Sequence, residues 1–219
     1  MTIDNFLTGD EQRALTETVG EWERSTDNGD TNELGVGGKK LSIGRTSSNS
    51  WCDEECNKHP TVKEVYRKIA EMTKIPKSYF EPFQILRYEL GQKYVRHHDN
   101  GAQANERNGA GPRILTFFLY LSDVEEGGET CFSFMGICVQ PKRGRALLWP
   151  SVLNSDPMVN DGRTIHEAKP VIQGRKFAAN TWIHLYDHDL SSIWSCQGSG
   201  SVLNPEFEAG LIPEEELHG

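Results

Sequence analysis

No apolar run in this 219-residue chain approaches the roughly 20 residues that a membrane-spanning helix needs, which excludes a helical span within it. No stretch repeats, so repeat architectures are excluded. Basic residues are the minority: 23 Lys and Arg against 32 Asp and Glu give a formal charge of −9. That balance argues against nucleic acid as a general partner and suits a neutral or basic polypeptide. Residues 201–219 contain no Lys or Arg but carry Glu206, Glu208, Glu214, Glu215 and Glu216, the pattern of an acidic C-terminal tail or packing strap rather than a catalytic element. Only five cysteines are present, so at least one is unpaired. Cys52 and Cys56 have no second Cys/His pair at matching spacing, which disfavours zinc and leaves a short-loop disulfide in an oxidising compartment. Cys131 and Cys138 flank an expected turn at Met135-Gly136 and could face each other across it.

What is present describes a globular protein: 36% hydrophobic and 25% charged residues, in a length that fits one domain with a sizeable core. Thr8-Gly9-Asp10-Glu11 is a capping-box pattern before a helix expected to run to about Arg24. Residues 25–40, rich in Gly, Asn, Asp and Ser, read as a flexible loop, either a connector or a mobile cover over a site. A second helix is signalled by the apolar stripe Val62, Val65, Tyr66, Ile69 and Met72. From Gln84 onward the pattern changes to short β-type runs at 84–90, 113–121, 130–134, 137–140, 144–149 and 176–186. The expected class is therefore mainly β with flanking helices, a sandwich or jelly roll with helices outside one sheet.

His97-His98-Asp99 carries the chemistry. A histidine and an acid two residues apart on an extended segment share a face, and His98 between them points away. A distant third histidine, His166, completes a two-histidine, one-carboxylate facial set, which suits Fe(II) with open positions for a co-substrate and O2. Lys176, Ala178, Asn180 and Trp182 share one face of an expected strand, and Arg175 and Phe177 share the other. If Trp182 faces the interior, Lys176 does too, and it becomes the cation for the far carboxylate of a dicarboxylic acid chelating the metal.

The surrounding residues sharpen this. Tyr88 to Asp99, reading YELGQKYVRHHD, resembles the YxxGQxYxxHxD segment of the prolyl 4-hydroxylase family of Fe(II)/2-oxoglutarate dioxygenases. Arg113, Thr116, Tyr120-Leu121, Val124 and Glu126-Gly127-Gly128-Glu129-Thr130 are similar to the family's RxxTxxxYLxxVxEGGET stretch. His166, Pro170, Gly174, Lys176, Asn180, Trp182 and His184 resemble its closing pattern, and Arg45-Thr46-Ser47-Ser48 an element near its substrate loop. The resemblance runs from about Asp4 to Tyr186, and Trp51-Cys52 with 148–153 looks like algal or protist forms.

The resemblance implies a double-stranded β-helix core, with a catalytic domain over residues 1–189 and the acidic tail over 190–219. It implies Fe(II) on His97, Asp99 and His166, and 2-oxoglutarate held by Lys176 with Tyr88 and Thr130. Tyr94, Arg113 and Trp182 match positions lining a groove for a proline-rich chain, whose polyproline II form suits aromatic faces; His184 and Tyr186 are expected to close the sheet. The implied reaction is 4-hydroxylation of peptidyl proline, coupled to decarboxylation of 2-oxoglutarate to succinate and CO2, with ascorbate rescuing oxidised iron. A secretory-pathway location would accord with the family. No signal peptide is evident, but Met1 lies just before the family-like Asp4 start, so a trimmed segment stays open. Three other readings stay open. One is a 2-oxoglutarate oxygenase acting on a regulatory protein proline or another residue. Another is a non-catalytic module binding proline-rich peptides, and the third is a small-molecule cupin.

Overall fold

The computed structural model describes residues 1–31, 37–100 and 109–193. In chain order the strands are β1 (Thr2–Ile3), β2 (Glu23–Arg24), β3 (Thr26–Thr31), β4 (Gly37–Leu41), β5 (Ser48–Trp51), β6 (Gln84–Tyr88), β7 (Tyr94–His97), β8 (Arg113–Tyr120), β9 (Glu126–Gly127), β10 (Thr130–Phe132), β11 (Ile137–Val139), β12 (Ala146–Pro150), β13 (Val152–Leu153), β14 (Asp156–Asn160), β15 (His166–Ala168), β16 (Val171–Gln173) and β17 (Lys176–His184). Helices α1 (Gly9–Glu17), α2 (Glu54–Lys58) and α3 (Pro60–Thr73) precede the main strands.

Two antiparallel sheets form the core. The larger has the order β1-β12-β8-β17-β6-β5-β2, the smaller β11-β10-β15-β7. Alternation along the central strands decides what each face meets. Phe117 and Leu119 of β8, Ile85 of β6, and Ala179 and Ile183 of β17 pack with Leu15 of α1 and Val62, Val65 and Ile69 of α3. Their neighbours Phe118, Tyr120, Leu86, Tyr88 and Ala178 turn the other way and meet Phe132, Val139 and Trp149. The helices thus cover one face of the large sheet, and the other face closes a jelly-roll interior with the small sheet. This is the mainly β class with flanking helices that the strand pattern predicts.

Local signals explain the ends of the elements. Thr8 accepts the Glu11 amide and Glu11 accepts the Thr8 amide, the reciprocal box that opens α1. That helix ends at Glu17, not near Arg24. Thr18 caps it, Gly20 follows, and residues 23–24 pair instead with β5. Residues 25–40, read as a loop, contain two paired strands, with Thr26 opposite Leu41 and Asp27 opposite Lys40; residues 32–36 of that stretch lie outside the described residues. Both anticipated disulfides are present, Cys52–Cys56 and Cys131–Cys138, the second joining residues directly opposite in the β10–β11 pair. Of the expected acidic tail, residues 190–193 end a short helix, His188–Ile193, and residues 194–219 lie outside the described residues. No described helix is long and apolar enough to cross a membrane.

Candidate active site

The interior between the sheets holds a cavity of about 450 Å³ that opens toward Trp51 and Arg45. His97 ends β7, and His166 begins β15 directly opposite it. Asp99 lies two residues past the strand end, yet its Oδ1 is 3.7 Å from His97 Nε2 and 3.8 Å from His166 Nε2. One ligand atom from each of the three lies within 4.8 Å of the others. Each ring is oriented from behind. His97 Nδ1 meets the Val95 carbonyl and His166 Nδ1 the Thr164 carbonyl, both at 2.9 Å. Because a carbonyl only accepts, each Nδ1 carries the proton and each Nε2 keeps a free lone pair toward the cavity. Thr116 Oγ1 donates to Asp99 Oδ2 at 2.6 Å, which leaves Oδ1 to face the histidines.

Electrostatics favour the ligating forms. Burial pushes His97 down to about 4, with the neighbouring His166 adding to the shift. Burial alone would raise Asp99, but the two histidines and the Thr116 bond outweigh it and hold the carboxyl below its ordinary range. Two neutral imidazoles and a carboxylate on one face fit Fe(II).

A bulge places Tyr94. Residues three apart on a flat strand face opposite ways, but the β15–β7 register shifts between His166 and Ala168. Tyr94 therefore stacks on His97 at 3.6 Å between ring centroids, and Arg45 lies over its ring at 4.9 Å.

The parity expectation for β17 holds. Lys176 is fully buried, while Arg175 pairs with Glu89 at the surface. Lys176 Nζ donates to the Gly128 carbonyl at 2.7 Å and lies among the rings of Tyr88, Phe118 and Tyr120 at 5.2–5.5 Å. No carboxylate among the described residues comes within ion-pair distance, and burial pushes the ammonium down to about 7. Tyr88 sits opposite Lys176 across β6–β17. Thr130 Oγ1 accepts from Tyr120 at 2.8 Å. The Gly127-Gly128 turn beside the lysine tolerates nothing larger at its first position, where a Cβ would lie 2.2 Å from the Pro170 carbonyl.

At the mouth, Arg113 stacks on Trp182 at 3.7 Å and pairs with Glu81 at 2.5 Å. Glu81 also meets His184 at 2.7 Å; burial would raise its pKa, but His184 and Arg113 hold it down at about 2. His184 is thus a buried structural group, as expected. Trp51 lies 6.2 Å from Trp182 between ring centroids. Asn180 Oδ1 and Trp182 Nε1 are buried in the cavity wall without a hydrogen-bond partner. Sequence reasoning missed Glu81 and gave no role to Thr116 or Tyr120, although both stand in the stretch that resembles the family. Thr116 and Tyr120 lie inside an apolar strand, where a hydroxyl reads as core; their motif match together with the period of two that sets them beside Phe118 on the inner face could have given them a role.

A jelly roll whose cavity is lined by a His–Asp–His face, with a buried lysine packed behind the Tyr88 and Phe118 of that lining, has the organisation of an iron-dependent 2-oxoglutarate oxygenase. A model of the 2OG-Fe(II) oxygenase superfamily matches residues 83–184. Probable prolyl 4-hydroxylase 10 of Arabidopsis thaliana is 34% identical over 207 residues, 85% of this chain and 68% of that protein. Probable prolyl 4-hydroxylase 9 of the same plant is 39% identical over 160 residues, 66% of this chain and 55% of that protein. The solved 2OG complex of the viral collagen prolyl hydroxylase of Paramecium Bursaria Chlorella virus-1 matches with a TM-score of 0.63 and 26% identity, covering 84% of this chain and 94% of that one. The chain belongs to the prolyl 4-hydroxylase family. It spans 55% and 50% of prolyl 4-hydroxylases 9 and 13 of Arabidopsis thaliana.

Proposed function

We propose that this protein hydroxylates C4 of peptidyl proline in proline-rich or collagen-like chains, coupled to oxidative decarboxylation of 2-oxoglutarate to succinate and CO2. The carrying observation is one cavity lined by a preoriented His97, Asp99 and His166, with the buried Lys176, which has no ion-pair partner among the described residues, packed against Tyr88 and Phe118 of the same lining. Fe(II), held by the three ligands, supplies the positions for 2-oxoglutarate and O2 and the redox chemistry that joins decarboxylation to C–H hydroxylation. Ascorbate is assigned the family's part of returning oxidised iron to Fe(II).

The chain's own residues bind and orient. Lys176 takes the far carboxylate of 2-oxoglutarate, with the hydroxyls of Tyr88 and Thr130 within the same lining. An anion is the partner that a buried ammonium lacks, and a carboxylate bond to it is short and strong. Phe118, Tyr120 and Trp149 wall the co-substrate pocket with apolar surface and limit water entry. Tyr94, Arg113 and Trp182 line the mouth. Their flat faces suit proline rings, and a chain already in polyproline II form loses less entropy on docking. Residues 1–189 are taken as the catalytic domain, and the two disulfides support an oxidising compartment such as the secretory pathway.

Mass spectrometry of a proline-rich peptide panel, incubated with the protein, Fe(II), 2-oxoglutarate and O2, tests the reading. One added oxygen per modified proline is expected, with equimolar succinate and no product when 2-oxoglutarate is omitted. Equal efficiency on free proline or on single-proline flexible peptides would move the substrate to a regulatory proline or another residue. Peptide binding without any product would favour the non-catalytic module.

A further inference from the structure

The β13–β14 hairpin has no evident purpose in the reaction: every residue of β14 is exposed, and the hairpin pairs with neither main sheet. Its last residue nevertheless makes a two-way amide contact. Asn100 Nδ2 donates to Asn160 Oδ1 at 2.6 Å, and Asn160 Nδ2 donates back to the Asn100 carbonyl at 3.0 Å. Asn100 itself is fully buried, and its Oδ1 accepts the Arg113 amide at 3.3 Å.

A second tie lies on the other side of Asp99. His98 Nε2 is 3.3 Å from the Asp161 carbonyl, and Nδ1 is 3.1 Å from both the amide and the carbonyl of Asn100. The ring therefore bridges Asp161 and Asn100. From Asp161 a single 3-10 turn, Gly162–Thr164, leads to His166. Within that turn Thr164 Oγ1 donates to the Asp161 carbonyl at 2.9 Å, and the Thr164 carbonyl receives His166 Nδ1. The residues on both sides of Asp99 are thus bonded to the residues that introduce His166.

We propose that Asn100 and Asn160 form a clasp that sets Asp99 against His166, so that both asparagines are positioning residues for the metal centre. The inference rests on the metal reading of His97, Asp99 and His166. Its physical basis is that Asp99 lies beyond the end of β7, where the ladder to β15 no longer holds the chain. An untied loop would have to be ordered when the metal arrives, and that cost would be subtracted from affinity. The clasp orders it beforehand and accounts for a hairpin whose β14 strand is exposed throughout. Residues that act behind the ligands in this way typically contribute about 10- to 100-fold in metal affinity.

The test is anaerobic titration of the full chain with Co(II), without 2-oxoglutarate, followed by its visible absorption bands. Asn160→Ala should weaken Co(II) binding about tenfold and alter the band envelope. Its melting temperature should hardly move, because Asn160 is exposed. Asn160→Asp keeps the acceptor for Asn100 Nδ2 and loses only the return bond, so it should fall between Asn160→Ala and the parent. The double variant Asn100→Ala/Asn160→Ala should bind no more weakly than Asn100→Ala alone, since the shared contact is already gone. Asn154→Ala, on the same hairpin away from the clasp, should match the parent. Parent-like affinity and spectrum in Asn160→Ala would overturn the clasp, as would a loss that only follows a falling melting temperature. A parent that binds no Co(II), or a His166→Ala variant that binds it equally well, would instead overturn the metal reading.

Discussion

The metal ligands that line the cavity and the lysine buried behind its wall solve opposite problems. At the metal site every group has a partner before any ligand arrives: both imidazole Nδ1 atoms on carbonyls, Asp99 Oδ2 on Thr116, and its neighbours Asn100 and His98 on Asn160 and Asp161. Lys176, behind the wall, is completely buried with one carbonyl and three rings for company. A buried cation without a counter-charge costs several kcal/mol, about 3–5 when its partner is removed. The metal site is therefore finished in advance, whereas the lysine site is completed only by an anion. On the proposed reading, rigid geometry serves a metal that demands fixed directions, and an uncompensated charge serves discrimination for a dicarboxylate.

The largest effect that could break this contrast is at the metal site. His97→Ala or His166→Ala should abolish turnover and stoichiometric metal binding, because two remaining ligands hold a metal poorly; near-normal activity in either would remove the site assignment. Next is the anchor. Lys176→Ala should raise the 2-oxoglutarate requirement roughly a hundredfold or more, equivalent to about 3–5 kcal/mol, while Arg175→Ala changes it little. Titrating the co-substrate against both variants decides, and a larger effect at Arg175 would reverse the facing of β17. A smaller effect is expected at Thr116. Thr116→Val keeps the shape but leaves Asp99 Oδ2 without its donor, so metal affinity should drop about tenfold in a direct metal titration. The smallest is Trp182→Ala, which should weaken peptide binding by about 1–2 kcal/mol as the ring and its Arg113 stack are lost. It should leave 2-oxoglutarate affinity nearly unchanged; equal losses for both ligands would place the indole at the co-substrate instead.

Much of this contrast was legible in the residue order. The spacing of His97 and Asp99, and the parity that separates Lys176 from Arg175, depend only on the period of an extended chain. Tyr94 was legible only through its resemblance to the family, since strand parity puts it opposite His97 and a bulge reverses that. The Thr116–Asp99 bond and the Asn100–Asn160 contact were not legible. Both join segments distant in sequence, and no local pattern reports which hydroxyl or amide such a contact will meet. The ends of α1 and the strands inside 25–40 were missed for a related reason: pairing of residues 23–24 with β5 and of β3 with β4 outweighs weak local propensity.

The most direct test of the central claim is proton linkage at Lys176. Burial lowers this ammonium from 10.5 to about 7 in the ligand-free protein. Between those values the unfolded chain carries a proton that the native chain lacks, so the lysine's contribution to stability rises with pH across that window and is lost below about 7. A bound dicarboxylate restores the charged form, so its binding above pH 7 must take up a proton, and its affinity must fall as pH rises. Calorimetric titration of 2-oxoglutarate into the Mn(II)-loaded protein at about pH 8, in two buffers of different ionisation enthalpy, reads this uptake. The account predicts uptake approaching one proton in the parent and none in Lys176→Ala. No proton uptake in the parent, or the same uptake in both proteins, would contradict it.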